Sequence, residues 1–156
     1  MQKTIEELLT AKSLKDIMGG VVFDSVEATD ETLLFKANDG LEVYFYHSQD
    51  CCEHVYIEEI AGDLQDLVGV PIVLAEERRS SDDPSGVYEA TVPSDDLSHT
   101  WTFYTFRTIK GTVDVRWYGT SNGYYSETVN VSVAHPDYDP TMHNDFIFGM
   151  TRFEHS

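Results

Sequence analysis

The stretch from Trp101 to Val133 constrains the fold more than any other part of the chain. β-Branched and aromatic residues dominate it, and its strong breaks are Lys-Gly at 110–111 and Asn-Gly at 122–123. β-Branched and aromatic residues favour strands, and pairs such as Lys-Gly and Asn-Gly favour tight turns between antiparallel strands. The stretch therefore predicts a meander of three consecutive antiparallel strands.

The Asn-Gly pair also predicts the register of the second hairpin in this meander. With a two-residue loop, the apolar side chains of the two strands would lie on opposite faces of the sheet, because side chains alternate along a strand. A three-residue loop places Val115 across from Val129 and gives Gly123 the positive φ of a bulged turn. We predict the three-residue loop.

Asn-Asp-Gly at 38–40 repeats this signal in the first half of the chain. A three-residue loop there pairs Phe35 with Val43 and gives Gly40 a positive φ. Before it, apolar spacing from Thr4 to Met18 predicts a single helix with Thr4 as its N-cap. Further strands are predicted over residues 21–26, 32–37, 41–47, 55–60 and 72–76, and residues 62–69 predict a helical turn or a loop.

The length fits one domain, since a chain of 156 residues buries about two thirds of its unfolded surface. The predicted fold class is mainly β (α+β), an antiparallel curled sheet or sandwich with an N-terminal helix. We divide residues 1–156 into an N-terminal helix (1–19), a first β portion (20–77), a mobile insertion (78–99) with a short strand at 87–92, the meander (100–133) and a docking tail (134–156).

The apolar runs and the first residues of the chain predict a cytoplasmic protein. No apolar run approaches the roughly 20 residues of a membrane helix, and the first residues lack the pattern of a secretory signal. Cys51 and Cys52 are adjacent, and neighbouring side chains on a strand point in opposite directions. We therefore expect reduced thiols and not a disulfide between the two.

The net charge limits the partners that such a chain can bind. The 10 Lys and Arg against 28 Asp and Glu give a charge of −18. Ten of the acids lie between Asp39 and Glu77, a stretch without Lys or Arg. We expect this surface to repel nucleic acid and anionic membranes and to attract basic proteins, with simple solvation of an acidic protein as the alternative.

Two motifs carry a resemblance to a known family: Asp-Cys-Cys-Glu at 50–53 and Arg-Trp-Tyr-Gly-x-Ser-Asn-Gly-Tyr-Tyr-Ser at 116–126. From about Ile17 to Val131 the chain resembles an uncharacterised domain of unknown function from phage and bacterial genomes. The resemblance implies a phage or prophage origin and a small accessory role. It supplies no activity, ligand or catalytic residue.

Donors of the metal-ligand type crowd the segment from His47 to His54. Zinc prefers thiolate and imidazole ligands, so a metal site would use His47, Cys51, Cys52 and His54. The same residues would also serve a thiol-dependent enzyme. Because adjacent cysteines diverge in direction and no CxxC spacing is present, we expect no cofactor, with zinc as the alternative.

We accordingly expect binding rather than catalysis. The predicted function is that of a small acidic phage-type accessory protein that binds, and inhibits, a basic host protein such as a defence or nucleic-acid-binding factor. The alternatives are a metal-binding or thiol-dependent enzyme centred on residues 47–54 and a structural phage component. No catalytic residue is assigned, and the expected contact residues are Glu58, Glu59, Asp63, Asp66, Tyr118, Tyr124 and Tyr125.

Overall fold

The computed structural model describes residues 2–80, 98–122, 126–137 and 150–152. These residues form helices α1 (Ile5–Leu9) and α2 (Leu14–Met18), a 3-10 helix (Leu64–Leu67) and strands that we number in chain order. The strands are β1 (Ser25–Ala28), β2 (Leu33–Lys36), β3 (Glu42–Tyr46), β4 (His54–Ala61), β5 (Leu74–Ser80), β6 (Ser98–Thr108), β7 (Gly111–Ser121), β8 (Asn130–Ala134) and β9 (Met150–Arg152).

The strands form two sheets. One has the order β1-β2-β3-β8-β9 and the other has the order β4-β7-β6-β5. Neighbouring strands are antiparallel except for β9, which runs parallel to β8. The predicted fold class, mainly β and antiparallel with helical structure at the N-terminus, is confirmed. In the part of the chain that the structure describes, no helix has the length and apolar character needed to cross a membrane.

Aromatic side chains join the inner faces of the two sheets into a sandwich. The ring of Phe35 on β2 lies 4.9 Å from that of Phe106 on β6, and the ring of Phe45 on β3 lies 4.8 Å from that of Tyr104. All four residues are fully buried. Burying an aromatic side chain of this size contributes about 1.5–3 kcal/mol, so this cluster is a main source of stability.

The single helix predicted from Thr4 to Met18 is wrong, because polar residues divide it into α1 and α2. Thr4 is the N-cap of α1, as predicted. The hydroxyl of Thr10 donates to the Glu6 carbonyl at the end of α1, and Ser13 accepts the Asp16 N–H as the N-cap of α2. These side-chain hydrogen bonds compete with a continuous helix.

The predicted turn at residues 38–40 is confirmed. Phe35 pairs with Val43, the Ala37 N–H donates to the Leu41 carbonyl at 2.8 Å, and Gly40 has a φ of 93°. Positive φ carries no steric cost for glycine. The local turn signal therefore determines this hairpin and its register.

The predicted three-stranded meander is wrong in its last strand. The turn at Lys110-Gly111 joins β6 and β7, but β7 pairs with β4 and β6, and Val129 does not lie across from Val115. β8 instead crosses to the other sheet and pairs with β3. Both edges of β7 are already occupied, while β3 still has a free edge. Gly123 lies outside the described residues.

Other predicted boundaries shift at the ends of strands. The first strand begins at Ser25 instead of Val21, and Val22 forms only an isolated bridge with Pro71. β5 runs to Ser80, so part of the predicted insertion at 78–99 is strand. The strand predicted at 87–92 lies outside the described residues. In the predicted docking tail, residues 150–152 pair with β8 of the same chain.

Candidate functional site

The loop from His47 to Glu53 leads from β3 in one sheet to β4 in the other, and it turns around a buried carboxylate. Glu53 is only 3% exposed. Its side chain accepts the N–H groups of Asp50 at 3.0 Å and Cys51 at 2.9 Å, and the side-chain amide of Gln49 at 3.2 Å. A carboxylate that accepts several backbone N–H groups fixes the path of the chain around it.

His47 ties this carboxylate to a segment far away in the sequence. Its Nε2 lies 2.8 Å from Glu53 Oε2, and its Nδ1 lies 2.7 Å from the carbonyl oxygen of Thr128. Both partners are acceptors when Glu53 is ionised, so both hydrogen bonds form only when each ring nitrogen carries a proton. We call this arrangement the His47–Glu53 clamp.

Two opposing effects determine the ionisation of Glu53. Burial raises the pKa of its carboxyl group, whereas hydrogen bonds from the N–H groups of Cys51 and Asp50 and from His47 lower it, with a net decrease from 4.5 to about 2. The carboxyl group is therefore ionised at neutral pH. The clamp holds this buried carboxylate with hydrogen bonds from the loop and from His47.

The clamp is poorly suited to proton transfer. A general acid or base must reach a bound substrate with a group that can exchange a proton. Both ring nitrogens of His47 are engaged with protein atoms, and the Glu53 oxygens already accept four hydrogen bonds within the loop. This geometry suits a structural connection between the loop and the segment before β8.

A pocket of about 440 Å³ opens beside the clamp. Its aromatic wall consists of Tyr44 and Tyr46, whose rings stack with centroids 5.0 Å apart and an angle of 15° between their planes. We call it the tyrosine pocket. Its lining residues are Glu31, Thr32, Tyr44, Tyr46, His47, Gln49, Glu53, His54 and Val55.

The tyrosine pocket combines aromatic surface with negative charge. Glu31, in the turn between β1 and β2, is exposed to solvent, and the pocket lining contains no Lys or Arg. His54 contributes a ring that lies 4.6 Å from that of Tyr56. The lining thus contains two carboxylates, the exposed Glu31 and the buried Glu53.

The two cysteines depart from the sequence prediction. Cys51 and Cys52 form a disulfide with each other, and their Cα atoms are 3.7 Å apart. The expectation of diverging thiols assumed strand geometry, but both residues lie in a bend that ends before β4 begins. Both are exposed to solvent, next to the residues that line the pocket.

The residues of the alternative zinc site do not gather as ligands. Cys51 and Cys52 are joined to each other, and both nitrogens of His47 are engaged with Glu53 and Thr128. Within the described residues, no three His, Cys, Asp or Glu side chains could hold a metal ion together. The expectation of a protein without zinc stays a prediction, which elemental analysis tests.

The acids predicted as contact residues lie along β4 and beyond its end. A bulge at Glu58 places it 2.8 Å from Arg116 Nε on the neighbouring β7, and Glu59 lies 3.7 Å from Arg116 Nη2. Asp63 accepts the Gln65 N–H at the start of the 3-10 helix. Asp66 follows within that helix. Residues 39–77 contain no Lys or Arg, but the fold places Arg116 beside two of their acids.

The predicted aromatic contacts divide into two groups. Tyr118 is 6% exposed, and its hydroxyl lies 2.5 Å from His99 Nδ1, so it offers little surface to a partner. Its ring also lies 5.1 Å from that of Trp101. Tyr124 and Tyr125 lie outside the described residues.

Sequence reasoning missed the tyrosine pocket, although part of it is visible in the sequence. Tyr44 and Tyr46 alternate with Val43 and Phe45, both fully buried. On a strand this alternation directs the two tyrosines to the face opposite the core. That signal identifies an aromatic pair away from the core, but no local pattern indicates that Glu31 and His54 lie beside it.

One comparison with known proteins gives a match. A family model described as "Domain of unknown function (DUF7448)" matches residues 4–131. This range includes the helices, the clamp and all residues that line the tyrosine pocket. No curated protein and no solved structure matches the chain.

Proposed function

The chain belongs to the DUF7448 family of domains of unknown function, and we propose that it acts by binding a basic protein. In this proposal it is a small acidic accessory protein of a phage or prophage, and its partner is a basic protein of the host cell. Binding would block the surface with which that partner recognises nucleic acid or another acidic target. Catalysis has no part in this function.

The observation that carries the proposal is the charge. A net charge of −18 on 156 residues is far above the magnitude of about 2–8 that keeps a small domain in solution. A field of this size speeds the approach of a basic partner and repels nucleic acid. The excess charge therefore favours a role in recognition.

The geometry of β4 supports a contact along this strand. β4 is an edge strand of its sheet, and it carries Glu58 and Glu59 before the chain reaches Asp63 and Asp66. Arg116 lies beside Glu58 and Glu59 and reduces the negative charge there, but it does not pair with Asp63 or Asp66. We therefore expect Asp63 and Asp66 to contribute more to the contact than the sequence alone implies.

The test begins with affinity capture of the partner from host lysate at low salt. Its association rate with the pure protein is then measured at about 0.05 M and about 0.3 M salt, which span the range in which screening reaches about 10 Å. Replacing four acids together, by Glu58→Gln, Glu59→Gln, Asp63→Asn and Asp66→Asn, should slow association at low salt by about tenfold or more.

A matched control neutralises four exposed acids elsewhere: Glu6→Gln, Asp24→Asn, Glu27→Gln and Asp137→Asn. The control variant should unfold at the wild-type temperature, because exposed acids contribute little to stability individually. The contact variant also loses the Glu58–Arg116 pair, so circular dichroism and the melting temperature must show that it is folded before its binding is compared. An undiminished association rate of the contact variant would show that these acids are not the contact. Equal slowing of both variants would show that the whole field, and not this edge, guides the partner.

The two alternatives stay predictions. These are a metal-binding or thiol-dependent enzyme centred on residues 47–54 and a structural phage component. Neither is favoured by a specific contact within residues 2–80, 98–122 or 126–137, whereas the net charge of −18 favours binding.

A further inference from the structure

Two tyrosine rings form one wall of the tyrosine pocket. Tyr44 and Tyr46 are both half-buried and lie on the same side of β3, since their positions differ by two residues. Faces of aromatic rings carry partial negative charge and attract cations within about 6 Å of the ring centre. The wall is therefore suited to a positively charged group with apolar carbon attached.

The charge of the lining favours the same kind of ligand. The lining contains two carboxylates, Glu31 and Glu53, and no Lys or Arg. Glu31 is exposed, so an anion would meet its carboxylate and the field of a molecule with a net charge of −18. A lysine ammonium or an arginine guanidinium would gain from both.

The walls of the pocket are held in position before any ligand binds. The His47–Glu53 clamp connects the loop to Thr128, and the Ser48 N–H donates to the Asn130 side chain at 2.8 Å. On the opposite side, the Ile57 N–H donates to the Asp30 carbonyl at 2.6 Å and holds β4 against the turn that carries Glu31. A rigid pocket binds a side chain at a lower entropic cost than a flexible one.

The pocket also lies within reach of the four acids Glu58, Glu59, Asp63 and Asp66, which we call the acidic edge. β4 begins at His54, which lines the pocket, and leads to Asp63 shortly after its end. At roughly 3.3 Å per residue, this path spans about 30 Å. A protein surface of ordinary size that lies along β4 would cover both ends of it.

We propose that the tyrosine pocket receives a single lysine or arginine side chain of the basic partner, between the tyrosine rings and Glu31. This inference rests on the proposed function, because it assigns a specific anchor to a partner that the acidic surface attracts. The anchor supplies orientation and residence time, whereas the acids along β4 supply the rate of encounter.

The test uses an oligolysine peptide as the probe and nuclear magnetic resonance titration of the pure protein as the readout. In the wild-type protein, the signals of Tyr44, Tyr46 and His54 should shift with the same dissociation constant. Acetylating the lysines removes their charge and should abolish these shifts. A peptide of serine and glycine of the same length serves as a negative control.

Variants separate the pocket from the general field. Tyr44→Leu removes one ring and should weaken binding roughly threefold to tenfold, whereas Tyr44→Phe keeps the ring and should stay within about twofold of the wild type. Glu31→Gln should weaken binding more than Glu27→Gln. The last two changes remove the same charge from neighbouring exposed positions, only one of which lines the pocket.

Two results would overturn the anchor. One is a titration in which the pocket signals stay unchanged while other signals shift. The other is a series in which Tyr44→Leu binds like the wild type and Glu31→Gln binds like Glu27→Gln. Either result would leave the acidic edge untouched, because its contribution is measured by the association rate of the captured partner. Failure of the edge variant alone would leave the pocket in place.

Discussion

Two regions of this protein carry the same turn signal and fold differently. Asn-Asp-Gly at 38–40 closes a hairpin within one sheet, whereas the segment after the Asn-Gly pair at 122–123 crosses from one sheet to the other. In both regions, valines and aromatic residues alternate along the strands. A turn signal and an apolar pattern therefore specify a strand without specifying which strand it pairs with.

The free edges of the strands account for the difference. β7 lies between β4 and β6, and its ladder hydrogen bonds are used on both sides. β3 pairs with β2 on one side only, so its other edge accepts β8. Val131 and Val133 are buried in this position, as they would have been beside β7. The crossing keeps the apolar pattern satisfied and also covers an edge that would otherwise be open.

This crossing creates the candidate site. It brings Thr128 and Asn130 to the loop that follows β3, where they accept from His47 and Ser48. Without the crossing, the Thr128 carbonyl would not hold His47 in place beside the buried carboxylate of Glu53. The local hairpin supplies the tyrosines, and the crossing segment supports the loop that carries His47 and Glu53.

The largest effect is expected at the local turn, from Gly40→Ala. A side chain there must adopt the positive φ of 93°, and its Cβ would lie 2.4 Å from the Pro136 ring. We expect a loss of about 2–3 kcal/mol in the free energy of unfolding, measured with urea. An unchanged free energy of unfolding in Gly40→Ala would contradict the positive φ of this turn.

The next effect concerns the contact between β7 and the crossing segment, through Gly119→Ala. The added Cβ would lie 2.9 Å from the Glu127 carbonyl oxygen and 3.2 Å from a Val55 methyl carbon. Such overpacking should cost about 1–2 kcal/mol and should also shift the resonances of Thr128 and His47. If the variant is as stable as the wild type and these resonances do not move, the crossing segment does not pack against Gly119.

A smaller effect is expected from acid, through the clamp. The Glu53 pKa is about 2 in the folded protein and near 4.5 when unfolded, so the unfolded chain binds its proton first. Its contribution to stability is full above about pH 4.5 and is lost as the pH falls towards 2. The difference in urea midpoint between the wild type and Glu53→Gln should therefore shrink from about pH 5 to about pH 3. Glu27→Gln serves as the control, and a constant gap for Glu53→Gln would contradict the clamp.

The smallest effect is expected from opening the Cys51–Cys52 disulfide. The stabilisation that a disulfide provides by restricting the unfolded chain grows with the loop it closes, and here the joined residues are adjacent. Replacing both cysteines with serine should change the free energy of unfolding by less than about 1 kcal/mol. A thiol count on the denatured, unreduced protein should give no free thiol from this pair, and a count of two would show that the bond is absent.

Much of the first sheet and little of the site could be predicted from sequence. The pairing of Phe35 with Val43 follows from a three-residue turn and from alternation, both of which act over a few residues. The path of β8 depends on which strand edge is open, and the residues around position 130 do not determine that. Local sequence also does not predict the contact of Arg116 with Glu58, which forms because β7 pairs with β4.

Residue types and their neighbours along the chain are enough to predict most of the strands, the Gly40 turn and the net charge. Three features depend on the tertiary structure: the pairing of β8 with β3, the clamp between Glu53, His47 and Thr128, and the position of Glu31 beside the tyrosines. Each of these joins residues distant in sequence through a hydrogen bond, an ion pair or a shared pocket wall. Such contacts depend on how the two sheets pack and on the need of a buried charge for a partner, and neither is encoded by neighbouring residues.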